Sequence, residues 1–280
     1  MRNLLLHSLV IFLLVGMPTW AFAALKLKGQ FIQGGLIQGR VGPGDQVVVG
    51  QRQIRVSADG RFIIGFGRDA PLRQTLALTH ADGSVENREI DIQQRTYDVQ
   101  RINGIDKRMM EPTEEDLRRI SHEAELVTEA RQLDSAQDHF SESFVWPVVG
   151  RISGIYGSQR IFNGEPRRPH YGVDIAAAKG TPVIAPAGGT VVLVHQGMFF
   201  SGATLIIDHG HGLSSSFLHL NSILVKAGEQ VAQGQRIATV GASGRVTGPH
   251  LDWRVNWFDV RLDPALLVPG MTENGPRKSQ

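Results

Sequence analysis

Short runs of β-branched and aromatic residues, each closed by a glycine-bearing turn, recur along most of this chain and leave little room for helices. Val47 to Val49, Ile54 to Val56 and Phe62 to Phe66 are such runs, with Asp59-Gly60 between the last two. Asp82-Gly83 separates Leu76-Ala77-Leu78 from Val85 to Ile92. Asp-Gly between apolar runs marks a hairpin because glycine tolerates positive φ. Residues 24–103 are therefore expected to form a small accessory β-domain, sandwich-like or barrel-like, without a catalytic cluster.

Residues 104–143 change character: the stretch is acidic and nearly free of glycine. Thr113 with Asp116 three residues on resembles a capping box. Leu117, Ile120, Ala124, Val127 and Ala130 recur at helical spacing. A helix over about 113–134 follows, packed by one face on a neighbour and linking two domains. Glycine-punctuated strands return over 144–270, predicting a compact antiparallel β-domain. The polar segment 271–280 is expected to be a disordered tail. The fold class predicted is mainly β, two β-domains joined by a helical linker.

The N-terminus reads as an export signal over 1–23. Arg2 is followed by an apolar run from Leu4 to Val15, and Ala21-Phe22-Ala23 fits small-x-small cleavage. The apolar run is short of the ~20 residues that a membrane span needs. The sequence holds 0 cysteines, so disulfides, thiolate metal ligands, thiol nucleophiles and a lipid-bearing cysteine are excluded. Any metal site must be built from His, Asp and Glu. The formal net charge of +2 gives no dense basic patch, so no nucleic-acid partner is expected.

The informative histidines fall in 144–270. His170 and Asp174 form an H-x-x-x-D pair, a ligand combination that zinc accepts. From His250 to Trp257 polar and apolar residues alternate. In a strand, positions i and i+2 share a face. His250, Asp252, Arg254 and Asn256 would then point one way, with Leu251, Val255 and both tryptophans beneath. His219 closes the run Ser214 to Leu218 and offers a third side chain on a neighbouring strand. His209 and His211, flanking Gly210 at a turn, and His195, at a strand end, are weaker candidates.

Through these residues and the blocks around them, 145–268 resembles the lysostaphin/LytM-type metallopeptidases. The resemblance runs through Phe144-Val145-Trp146-Pro147, His170 to Asp174, Ala185-Pro186-Ala187-Gly188-Gly189, Ile207-Asp208-His209-Gly210, Leu218-His219-Leu220 and Thr247-Gly248-Pro249-His250-Leu251. It implies a zinc metalloendopeptidase that hydrolyses peptidoglycan peptides. It implies His170 and Asp174 as metal ligands, and His219 and His250 as catalytic histidines. Position 252 matches the family's third metal ligand, a histidine, but here it is Asp252.

Two outcomes follow from that departure. Asp252 can still bind metal: carboxylate is an accepted ligand, and Asp Oδ1, like His Nδ1, is bonded directly to Cγ. Two carboxylates would then give the site one more negative charge than the family pattern, favouring harder ions such as manganese. The alternative is a degenerate module that binds peptidoglycan or activates a partner cell-wall hydrolase. Asp208 or another acid is expected to orient one histidine from behind the metal site. The expected location is the periplasm, with secretion as the alternative.

Overall fold

The computed structural model describes residues 25–102, 113–162, 164–272 and 275–276. The export signal expected over 1–23 lies outside the described residues. So do 103–112 and most of the tail, whose described residues, Met271–Thr272 and Gly275–Pro276, pair as two short strands.

The chain is mainly β and its ladders are antiparallel, with one parallel pair among the described strands. In the N-terminal half, Lys26–Gly29, Leu36–Arg40 and Arg61–Gly65 form one sheet. Arg52–Ile54, Gln46–Val49, Arg73–Thr79 and Val85–Asp91 form a second, in that order. The Asp82-Gly83 turn closes the expected hairpin: Gly83 has φ 86°, and the flanking strands pair from Thr79 opposite Val85. Asp59-Gly60 differs. Gly60 does adopt φ 83°, but the strands on either side belong to different sheets. The turn passes from one sheet to the other, and Phe62, Ile63 and Ile64 are all fully buried, so both faces of the strand it leads into are covered.

The helix spans Glu114–Arg131. Thr113 Oγ1 accepts from the Asp116 N–H at 3.1 Å, and Asp116 Oδ2 accepts from the Thr113 N–H at 3.1 Å. Little of its expected apolar stripe carries the packing: Ala130 is buried, but Leu117 is 53% exposed, and the other buried residues are Glu123 and Arg131. Polar anchors hold the helix instead. Glu123 accepts from the Phe199 N–H at 2.7 Å, and Arg131 donates to Ser216 Oγ at 3.0 Å.

The C-terminal half is dominated by one large sheet. Its central order is Gly189–Met198, Gly202–Gly210, Leu213–Ile223, His250–Trp257, Val173–Ala176 and Arg151–Gly154. One face packs on the core through fully buried Phe217, Leu251, Trp253 and Val255. Full burial of each such side chain stabilises by roughly 1.5–3 kcal/mol. The other face carries the polar residues. The two halves share a continuous core, with Leu262 and Trp257 against Gly65. Val99–Ile102 also adds a parallel strand to Gln159–Phe162.

Candidate metal centre

Three strands of the large sheet assemble the site. His250–Trp257 lies between Leu213–Ile223 and Val173–Ala176, and its register sets Asp252 directly opposite Asp174. The expected alternation holds along this strand: Leu251, Trp253, Val255 and Trp257 are in the core. Its polar face is not a solvated one, since Asp252 is 2% and Asn256 0% exposed. Two carboxylates facing each other across a ladder repel, so the pairing calls for a cation. Glycines make room around them. A Cβ on Gly154 would collide with the Asp174 carboxylate, and one on Gly172 would sit 2.5 Å from Asp252 Oδ1.

His170 enters from the loop before Val173–Ala176. Its backbone is clamped at both ends: its N–H donates to Ser158 O, and its carbonyl accepts from the Gly157 N–H, each at 2.8 Å. His170 Nε2 lies 3.2 Å from Asp174 Oδ1. Both atoms are buried, and apart from each other neither has a hydrogen-bond partner among the described residues. One ligand atom from each of His170, Asp174 and Asp252 falls within 4.8 Å of the others. Orphaned imidazole nitrogen and carboxylate oxygen aimed at one point are the donors that a divalent cation takes. Burial pulls the His170 pKa down, but Asp174 and Asp252 outweigh it, leaving the ring above its ordinary value.

His219 and His250 stand beside this triad, ring centroids 4.9 Å apart. His219 has φ 63°, an unusual left-handed conformation for a residue with a Cβ. It sits where the ladder to Gly202–Gly210 breaks register between Phe217 and Leu220, and its N–H donates to Ser201 O at 2.8 Å. That local turn, at roughly 1–2 kcal/mol, releases the ring from the alternation of its strand. His219 Nδ1 is 2.8 Å from Ser243 O, and His250 Nδ1 is 2.9 Å from Gly248 O. A carbonyl can only accept, so each Nδ1 carries its proton as donor, leaving Nε2 to face the site. His250 Nε2 lies 3.9 Å from Asp174 Oδ1. Burial lowers the His219 pKa, keeping that ring neutral at pH 7.

The remaining candidates fall elsewhere. His209 is a fully buried core histidine, bonded to Gly188 O at 2.6 Å and Ser215 Oγ at 2.8 Å, and burial pushes its pKa down to about 4. His211 packs on Phe140, and His195 Nδ1 accepts from the Gly197 N–H. Asp208 orients no histidine; its Oδ2 accepts from Ser135 Oγ at 2.5 Å. Backbone carbonyls orient the two catalytic candidates instead, a role no side-chain motif announces.

Arg254 is the participant that sequence reasoning passed over, although it was placed on the Asp252 face. Its Nε lies 3.0 Å from Asp252 Oδ1, and its Nη2 lies 2.6 Å from Oδ2. Burial works against charge on Asp252, yet Arg254 holds its carboxyl below the usual range. Beside the triad opens a cleft of about 730 Å³, lined by Arg168, Tyr171 and Arg254, with Asp98 and Gln100 from the N-terminal half.

Residues 168–264 match the model of Peptidase family M23. A solved structure from Pseudomonas aeruginosa, described as a peptidase M23, superimposes with TM-score 0.68 at 30% identity, covering 86% of this chain and 96% of the other. The chain belongs to peptidase family M23. Peptidoglycan DD-endopeptidase ShyA of Vibrio cholerae is 41% identical over 157 residues, 52% of this chain and 36% of ShyA. Murein hydrolase activator NlpD of Escherichia coli is 29% identical over 124 residues, 44% of this chain and 31% of NlpD. Against the first relatives the chain spans only 23%, 39% and 36% of their length.

Proposed function

We propose that this chain is an exported metalloendopeptidase that hydrolyses peptide cross-links of peptidoglycan, with His170, Asp174 and Asp252 as ligands of one zinc ion or, given two carboxylates, manganese. The observation that carries this reading is the convergence of buried His170 Nε2 and Asp174 Oδ1, which contact each other, on Asp252 across the sheet. A bound divalent cation supplies Lewis-acid polarisation of a carbonyl and acidifies water. The protein's own groups do the rest. His219, neutral at pH 7 and with Nε2 exposed to the site, accepts a proton from the attacking water. His250, held by Gly248 O, steadies the developing oxyanion or returns a proton to the leaving amine. Positioned groups of this kind are commonly worth ~10²–10⁴ in rate. The DD-endopeptidase activity for which ShyA is named supports peptidoglycan as substrate.

Arg254 bears on the Asp252 departure. Its guanidinium offsets the extra carboxylate, so the three ligands plus Arg254 carry the net charge of a two-histidine, one-aspartate set. The same contact favours a second reading. A guanidinium gripping both Asp252 oxygens can stand in for the cation, and the chain would then be a non-catalytic activator of a partner hydrolase, as NlpD is named. Export to the periplasm rests on the signal-like residues 1–23. Among the described residues no helix is long and apolar enough to cross a membrane.

Digestion of purified peptidoglycan tests the proposal. The wild-type chain with added zinc or manganese releases cross-link cleavage products. Absence of products with either ion, from folded protein, counts against the endopeptidase and for the activator.

A further inference from the structure

Beside the metal centre the polar sheet face gathers more positive charge than its neighbours neutralise. Arg254 is spoken for by Asp252. Among the described residues the Arg261 side chain donates one hydrogen bond, to Asn256 Oδ1 at 3.4 Å. Arg131 reaches in from the helix to Ser216 Oγ, which stands opposite Arg254 in the ladder; its residue is 8% exposed, and its Nε is buried with no partner among the described residues. Arg168, exposed at the cleft, makes no ion pair among the described residues. The guanidinium carbons of Arg168 and Arg261 each lie 5.9 Å from the Tyr171 ring centroid. Of the further carboxylates, Asp98 and Asp174 line the same cleft, and Asp259 is 69% exposed and paired with Arg52.

Gathering guanidinium groups out of water costs free energy unless an anion is paired with them. Burial and the neighbouring Arg254 and Arg168 hold the Arg261 pKa down to about 10, a sign of that cost. The cleft that Arg168, Tyr171 and Arg254 line is continuous with His170 and Asp174. A ligand group there lies next to the reacting centre. The guanidinium fork matches a carboxylate through two parallel hydrogen bonds, and Tyr171 supplies a flat wall against which the arginines stack.

We propose that the Arg168–Tyr171–Arg254 corner of the cleft is a subsite for a free carboxylate of the substrate peptide, with Arg168 as the residue that reads it. The proposal deepens the endopeptidase reading by naming the chemical feature that the groove selects. It separates two peptides alike in every respect but the charge of that group.

The test is equilibrium binding to the full chain as purified, by fluorescence anisotropy at low salt. The probes are two labelled, uncross-linked peptidoglycan stem peptides, one with free carboxylates and one with them amidated. Without a cross-link there is nothing for the proposed activity to cut. A charge-assisted contact is worth about 1.5 kcal/mol or more, so the free-carboxylate peptide should bind about tenfold more tightly. Arg168→Ala should abolish that preference, and Arg168→Lys should keep part of it. Because Arg168 is exposed, the variants should match the wild type in thermal midpoint. Equal affinity for the two peptides, binding of neither, or a preference that survives Arg168→Ala overturns the proposal. A clear preference in a chain that digests no peptidoglycan would leave the subsite standing and remove only the hydrolysis.

Discussion

Replacing Arg254 with methionine isolates the contact that makes Asp252 tolerable in the sheet. Methionine keeps an unbranched apolar stem but removes the donors at 3.0 Å and 2.6 Å. The Asp252 side chain is 3% exposed and faces Asp174 across the ladder. Leaving one partner of a buried pair uncompensated costs about 3–5 kcal/mol. Arg254 is itself 27% exposed, so the pair is not fully dry and the lower end, about 3 kcal/mol, applies. The assay is urea unfolding of metal-stripped protein at pH 7, where the midpoint should fall with an unchanged slope. Zinc or manganese should then reverse most of the loss, because a cation between the carboxylates replaces the missing guanidinium. At a free concentration of about 100 times the dissociation constant, the ion contributes about 2.7 kcal/mol. A change within about 0.5 kcal/mol, the range of ordinary surface substitutions, would refute the counter-charge role.

His219→Ala should leave metal bound while lowering peptidoglycan hydrolysis by ~10²-fold or more, measured as product release alongside metal content; retained activity removes His219 from the mechanism. His209 should make the fold acid-sensitive. Its folded pKa of about 4 lies below the free value of 6.5, so the unfolded chain binds more protons between those limits. Its contribution is complete above pH 6.5 and falls away as pH drops to about 4, a loss of about 3 kcal/mol. Unfolding from pH 7 to 4 measures it, and His209→Gln should flatten the curve.

What was legible in the sequence was what period and spacing carry. Alternation along His250–Trp257 sorted Asp252 and Arg254 from Trp253 and Val255, because side-chain direction in a strand depends on parity alone. The Thr113 and Asp116 capping pair was legible for the same reason, being local. The layering around Asp59-Gly60 was not: a turn dipeptide specifies positive φ, not whether the next strand stays in its sheet. The helix was misread in its packing because its anchors, Glu123 and Arg131, are charged and find partners distant in sequence, Phe199 and Ser216. His209 reads from the sequence as a residue flanking a turn, although the core supplies both its ring nitrogens with partners. The carbonyls of Ser243 and Gly248, which orient His219 and His250, belong to backbone that any side chain could accompany.

Metal content of the purified chain, compared with Asp252→Ala, tests the central claim most directly. About one zinc or manganese ion per chain, lost in the variant, is the result that the geometry of His170, Asp174 and Asp252 predicts. A wild-type chain that takes up no metal after reconstitution, or a variant that keeps its full complement, would contradict it.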